Sequence, residues 1–438
     1  MSGSGIKTFG AYLNSLENLA YNVISSYVAQ KRSNSIRPIL DGEVAKQFRT
    51  RVPLEIRRSA GAFFTGTKLA RRLLGHSLSN LPADAIICDP ACGVGDLLLA
   101  AAWKLPASCD LAKTLQIWGG KLMGFDVHPE FVRAAKVRLL LLAMLRSSGI
   151  EDSTIPKLSK LFPMICVHDF LAQPKKLARA SHILINPPYN KLIAPYECTW
   201  GNMKVSAAVL FMDACLSNAS TGAKIAAILP DVLRSGSSYE KWRQHIESLS
   251  ERMEITTYGQ FDKWTDVDVF TVKLLRSDCQ KSSKGKWWKS VKGARDGKVG
   301  DYFKVHVGPV VPHRDPEKGP CVAYVHAKTL PAWGRVKRIN EQRRFNGTLF
   351  KPPFVAVRRT SRPGDKRAIA TIITGKRKIA AENHLLVLLP KDKTISLCKK
   401  LIKILRTAKT DIYLNKRIRC RHLTVSALAE VPWWELSK

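Results

Sequence analysis

The sequence predicts an α/β protein, with a doubly wound and mostly parallel sheet over residues 56–276. A helical segment precedes the sheet and an α+β domain follows it. Three observations carry that expectation. Short apolar runs alternate with amphipathic stretches from residue 56 to 276, the pattern of repeated strand–helix units. A glycine loop, Gly93-Val94-Gly95, follows one such run, Ile86-Ile87-Cys88, and opens onto Leu97-Leu98-Leu99. The texture then changes to short β-like runs after a Lys-, Ser- and Gly-rich stretch at 277–300.

In chain order, residues 1–55 read as helical, because Leu13, Leu16, Ala20, Val23, Ile24 and Tyr27 recur at helical spacing. Strands are expected at Ala85–Cys88, Lys121–Phe125, Met164–Val167, His182–Ile185 and Ala223–Leu229, with a closing pair near Thr256–Gly259 and Val269–Leu275. Residues 277–300 read as a basic boundary loop. Within 301–438, strands are expected at Tyr302–Val307, Phe354–Arg358, Ile369–Thr374 and Leu385–Leu389, then a helix around Thr394–Arg406.

The charge is distinctive. The 438 residues include 71 Lys+Arg and 35 Asp+Glu, a net +36. Residues 281–438 hold 37 basic and 11 acidic groups, so most of the excess lies in the last third. That asymmetry predicts a polyanion-binding module attached to a more neutral body. The ten cysteines are scattered, with no paired Cys or Cys/His spacing for zinc. With no signal peptide and no apolar run near 18 residues, the reading is a soluble intracellular protein without a membrane partner.

Four residues carry most of the chemistry. Asn186-Pro187-Pro188-Tyr189 follows the apolar run Ile183-Leu184-Ile185. The Asn side-chain oxygen and the carbonyl of Pro187 can each accept a hydrogen bond from one –NH2 group. The prolines stiffen the turn, and Tyr189 offers a face for a heterocycle. Such a corner suits methylation of an exocyclic amine.

Upstream, Asp89-Pro90-Ala91-Cys92-Gly93-Val94-Gly95-Asp96 reads as a nucleoside cradle, in which glycines let the backbone approach a ligand beside a helix N-terminus. Leu98 stands where a dinucleotide-binding loop has its third Gly, and no Walker lysine is present. Asp126, in Gly124-Phe125-Asp126-Val127, can bind ribose hydroxyls at a strand end. Asp169-Phe170 ends the next strand; Asp169 can accept from an adenine amine while Phe170 packs on its ring.

On these residues the chain resembles the gamma class of S-adenosylmethionine-dependent DNA amino-methyltransferases, which includes type I modification subunits and solitary restriction-modification methylases. The resemblance covers about residues 56–276 well. It implies a Rossmann-like methyltransferase catalytic domain at 56–276 and a target-recognition domain at 301–438. Gly61-Ala62-Phe63-Phe64-Thr65-Gly66-Thr67 matches the class's additional cofactor motif, with Phe63 and Thr65 as cofactor residues beside Asp89, Ala91, Gly93, Gly95, Asp126, Val127, Asp169, Phe170 and Asn186. Gly66 departs from the usual proline, which is expected to loosen that loop. Asn186 and the Pro187 carbonyl would hold N6 of an adenine flipped from double-stranded DNA, and Tyr189 would stack on it. Register with the family places Trp264 at the opposite aromatic wall, with Phe261 as second choice.

DNA contacts are expected from Lys286 and Lys289 in the boundary loop, from Arg358, Arg359, Arg362 and Arg367, and from Lys416, Arg417, Arg419 and Arg421. The implied setting is a bacterial or archaeal cytoplasm, with the protein held to the nucleoid by its DNA. A cognate restriction endonuclease or other defence subunits are the expected partners. Other readings are an N4-cytosine methylase, where Ser-Pro-Pro-Tyr is the commoner turn, an RNA or protein amino-methylase with the same turn, and a non-catalytic DNA-binding subunit.

Overall fold

Residues Ile87 and Cys88 are buried, as are Ile183, Leu184 and Ile185, because strands covered on both faces need apolar side chains along most of their length. In the computed structural model these runs form the centre of a seven-stranded sheet. The structure describes residues 4–24, 29–59, 61, 64–75, 81–147, 156–195, 198, 200, 204–262, 264–278, 285–288 and 297–434. Two compact units are present: residues 1–230, 241–265 and 269–285 make one, and residues 231–240, 266–268 and 286–438 the other.

The sheet of the first unit contains β1 (Ile87–Asp89), β2 (Leu122–Asp126), β3 (Ile165–Val167), β4 (His182–Ile185), β5 (Lys224–Pro230), β6 (Ser250–Gln260) and β7 (Asp268–Arg276). Their order is β3-β2-β1-β4-β5-β7-β6. The first five run parallel, and β7 pairs antiparallel with β5 from Lys224↔Leu275 to Pro230↔Val269. The expected doubly wound sheet is therefore present. Edge strand β6 is longer than the sequence indicates, because its alternating exposed polar residues mask it. The winding reverses between β1 and β4, which opens a crevice at the carboxyl ends of those strands.

Helices α1 (Ser4–Ile24), α2 (Val44–Arg51), α3 (Gly66–Leu74), α4 (Asp96–Ala102) and α5 (Pro129–Arg146) belong to the same unit. Pro129 sits in the first turn of α5, where its missing N–H costs nothing. The N-terminal helices are joined to the sheet layer by an aromatic cluster. Phe48 meets Phe9, Phe64 and Phe131 edge-on, at centroid distances of 5.0, 5.2 and 5.1 Å.

The second unit has a five-stranded sheet and a three-stranded one. Its strands are β8 (Phe303–Val307), β9 (Cys321–Val325), β10 (Arg335–Val336), β11 (Gln342–Arg344), β12 (Phe354–Arg358), β13 (Ala370–Ile373), β14 (Ile379–Ala381) and β15 (Leu385–Pro390). The orders are β8-β15-β12-β13-β10 and β11-β9-β14. Helix α6 (Ile395–Leu405) is capped by Thr394, whose hydroxyl accepts from the Leu397 N–H, and α7 (Ala408–Arg417) follows. Leu401, Ile404 and Leu405 pack with Val355, Val357 and Leu386 in one core. Among the described residues no helix is long and apolar enough to cross a membrane.

Candidate active site

Strand β4 carries Asn186 to the crevice. The side chain is 8% exposed and fixed at both ends. Its Nδ2 donates to Thr65 Oγ1 at 3.0 Å, and its Oδ1 accepts from the Tyr189 hydroxyl at 2.8 Å. Those two bonds set the amide's orientation. Burial pushes the Tyr189 phenol well above its ordinary range, which keeps it a neutral donor. Behind the turn, Gly61 lies so close that a Cβ there would stand 2.6 Å from Pro188 Cβ.

The glycine loop follows β1. Gly93 and Gly95 have φ of +50° and +88°, conformations open to glycine at little cost. A Cβ on Gly95 would also meet Ala135 of α5 at 2.9 Å, so this glycine sets the approach of loop to helix. Asp89 ends β1 almost fully buried and accepts from the Ala91 N–H at 3.1 Å. Burial first, and the nearby Asp126 and Asp96 carboxylates after it, hold its carboxyl well above the usual range.

At the end of β2, Asp126 Oδ2 accepts from the Gly93 N–H at 3.0 Å and Oδ1 from the His128 N–H at 2.9 Å. Burial raises this carboxyl too. Val127 beside it is 53% exposed. Beyond β3, Asp169 Oδ1 accepts from the N–H groups of Leu171 and Ala172, and Phe170 stacks parallel to Phe125 at 6.5 Å. Gly93, Asp126, Val127, Asp169, Phe170 and Asn186 line one open cleft of about 580 Å³, together with Ala91 and Pro188. Thr65 and Asp89 line a small adjoining cavity with Asn186. Phe63 lies outside the described residues.

A buried ion pair that sequence reading missed joins these parts. Arg138 Nη1 contacts Asp96 Oδ1 at 2.8 Å, with the two side chains 1% and 8% exposed. The other Asp96 oxygen accepts from the Gly66 N–H at 2.9 Å. Arg138 also donates to the carbonyls of Val94, Ile39 and Leu40. The only sequence hint was an arginine inside the leucine-rich run of α5. Gly66 does not loosen its loop as expected: its φ of +67° and its N–H are both used, and proline provides neither.

The aromatic wall also differs from expectation. Phe261 is 6% exposed and faces Tyr189 edge-on at 6.2 Å, whereas Trp264 is 67% exposed. Asp262 Oδ1 accepts from the N–H groups of Trp264 and Thr265, a turn that carries the indole outward.

Several expected DNA contacts are otherwise engaged. Arg367 is fully buried and donates to the carbonyls of Ser361, Ile418 and Cys420. Arg417 is 3% exposed, pairs with Glu430 and stacks on Trp288 at 3.5 Å. These two arginines are corrected from surface contacts to interior struts. Arg358 donates to Leu330 O, and Arg359 to the carbonyls of Leu423 and Asn383. Arg419 pairs with Asp268 at 2.9 Å, and Arg421 with Asp266. Lys286, Arg362 and Lys416 are exposed, and Lys289 lies outside the described residues.

Residues 50–248 match the family model described as N-6 DNA Methylase. This stretch, a little under half of the chain, is similar to that family. The matched residues enclose Thr65, Asp89, Asp126 and Asn186. Across the chain, the structure is similar to MmeI, a type IIL restriction-modification enzyme solved in complex with DNA. The TM-score is 0.53 at 11% identity, over 88% of this chain and 70% of that one. A class I S-adenosylmethionine-dependent methyltransferase from Listeria monocytogenes, designated putative, matches at TM-score 0.40 and 16% identity, over 60% of this chain and 72% of that one. A modification subunit of a type I restriction enzyme from Vibrio vulnificus YJ016, also so designated, matches at 0.37 and 17%, over 54% of this chain and 49% of that one. No curated protein matches by sequence. The fold is a Rossmann-like methyltransferase fold followed by a strand-rich C-terminal region.

Proposed function

We propose that the chain is a site-specific DNA methyltransferase acting on N6 of an adenine turned out of double-stranded DNA, with S-adenosylmethionine as methyl donor. The carrying observation is the meeting of Asn186, the Gly93–Gly95 loop and Asp126 in one cleft at the sheet's switch point, within the stretch similar to the N-6 DNA methylase family.

The cleft fits a cationic nucleoside cofactor. Asp89 is buried with no ion pair among the described residues, and its raised carboxyl reflects the lack of a compensating positive charge. Asp126 retains lone pairs for ribose hydroxyls beside a loop whose glycines leave room for a ligand. Asp169 and Phe170 are the residues for the adenine end. When bound, the cofactor supplies an electrophilic sulfonium methyl.

The chain's own work is to hold and orient the amine. Asn186 Oδ1 and the Pro187 carbonyl each accept one N–H, which draws the nitrogen lone pair out of conjugation and fixes its direction. Positioning, and complementarity to the rehybridised nitrogen, then lower the barrier. Tyr189 and Phe261 offer two aromatic surfaces for an extruded base. Residues 301–438 are assigned target recognition, and the basic bias of the last third supports a DNA partner. A restriction-modification or related defence role goes with this reading.

The test is modification-sensitive sequencing of DNA from a methylation-free host expressing the chain. N6-methyladenine at one recurrent motif is the expected result. N4-methylcytosine alone, or unmodified DNA together with methylation of RNA or protein by the purified chain, overturns it.

A further inference from the structure

With the expected arginines other than Arg362 engaged in internal bonds, a different surface of the C-terminal unit stands out. An open groove of about 1560 Å³ runs beside edge strand β8, which among the described residues pairs only with β15. Its lining includes Lys304, Lys351, Lys391 and Lys393 and contains no carboxylate. Lys391 donates to the carbonyls of Gly300 and Asp301. Lys304, Lys351 and Lys393 are exposed, and their ammonium groups have no hydrogen-bond or ion-pair partner among the described residues. The floor between them is apolar, with Phe350 buried and the exposed ring of His306 at 5.8 Å from it.

We propose that this groove, and not the Arg358–Arg367 loop, is the main backbone-phosphate contact of the C-terminal unit with DNA. The proposal rests on the reading of the chain as a DNA-modifying enzyme and locates that enzyme's grip. Three unpaired ammonium groups around one concave surface match a run of phosphodiesters, and lysine contacts phosphate as a point charge without selecting a base. An arginine that already donates to main-chain carbonyls must break those bonds to bind DNA; these lysines need not. An acidic protein segment would meet the same charges, but the observed excess of basic residues in 281–438 extends well past one groove, as a long polyanion requires.

Neutralising three phosphate contacts changes the salt dependence of binding in a defined way. Each lost contact flattens the slope of log K against log[salt] by roughly 0.9. The experiment measures anisotropy of a labelled duplex between low and moderate salt for the wild-type chain, for Lys304→Gln/Lys351→Gln/Lys393→Gln, and for Lys399→Gln/Lys400→Gln/Lys403→Gln as an equal charge change on α6. The groove variant should flatten the slope by roughly 2 to 3, equally for any duplex sequence, with its thermal melt unchanged. The α6 variant should keep the wild-type slope.

An unchanged slope in the groove variant, an equal loss in the α6 variant, or no duplex binding by the wild-type chain overturns the proposal. Binding of a polyglutamate probe that the groove variant alone loses, with DNA affinity kept, also overturns it. Methylation is scored separately. A chain that methylates DNA with an unchanged groove slope sinks only this inference, and a flattened slope without methylation sinks only the activity.

Discussion

Asp96 Oδ2 accepts the backbone N–H of Gly66 at 2.9 Å while its other oxygen meets Arg138, so one carboxylate binds the upstream cofactor-side segment to the glycine loop. Residue 66 thereby does a task that the proline common in this class cannot do. Gly66→Ala has free space around its Cβ and should lose only about 1 kcal/mol, the cost of a left-handed non-glycine residue. Gly66→Pro loses both the conformation and the N–H, and should cost about 3 kcal/mol or more. Urea unfolding of the two variants checks the order; equal losses would discard the role given to the hydrogen bond.

Removing one partner of the buried pair is expected to be more severe. Arg138→Met leaves Asp96 without its cation and should destabilise the chain by about 3–5 kcal/mol. Thermal melts of that variant against Arg133→Met, at a part-exposed pair with Glu17, measure the difference.

Thr65 holds Asn186 by its amide nitrogen, which gives it a positioning role beyond the cofactor role read from sequence. Thr65→Val should lower kcat by roughly tenfold, the equivalent of one hydrogen bond near 1 to 1.5 kcal/mol. Cofactor Kd, measured by calorimetry, should move less than threefold, and Thr65→Ser should restore the rate. A large rise in Kd with kcat intact would return Thr65 to the cofactor alone. Asn186→Ala should abolish methylation with cofactor binding retained.

The aromatic wall yields an opposed pair of outcomes. Phe261→Ala should raise KM for duplex substrate by about tenfold or more, since base stacking is worth about 1–3 kcal/mol. Trp264→Ala should change it by about threefold or less. Fluorescence of 2-aminopurine at the target position reads the same contrast, and a reversal would reinstate Trp264.

Asp89 carries the pH prediction. Burial chiefly, offset in part by the Ala91 N–H, makes the folded chain hold this proton more tightly than the unfolded chain. Its stabilising contribution is full below the unfolded carboxylate range and fades as pH rises through the folded value. Asp89→Asn keeps an acceptor for Ala91 and cannot ionise. Without cofactor, the variant should therefore resist urea better than wild type at about pH 8, with the gap closing toward about pH 5. A gap that widens on acidification would contradict the raised carboxyl.

The order of the candidate-site residues along the sheet was legible because its signals are local. Strand-end residues Asp89, Asp126 and Asn186 each follow an apolar run, and a strand fixes where its next residue emerges. Pairings between distant segments were not legible. Arg138 meets Asp96 across 42 positions, and Asp266 and Asp268 occupy arginines more than 150 positions away. Short strands such as Gln342–Arg344 were hidden for the same reason, since their partners rather than their side chains make them strands. Basic clusters read as DNA contacts without regard to the carbonyls and carboxylates that the fold brings to them.

Arg138 also gives the N-terminal helices a practical meaning. Two of its four acceptors, the carbonyls of Ile39 and Leu40, come from the segment ahead of the strand–helix repeats. A shortened version beginning at residue 56 would strand that guanidinium among apolar neighbours with half its ligands gone. Anyone trimming this protein for expression should cut ahead of α1, since the motif boundary falls inside the cage of a buried cation.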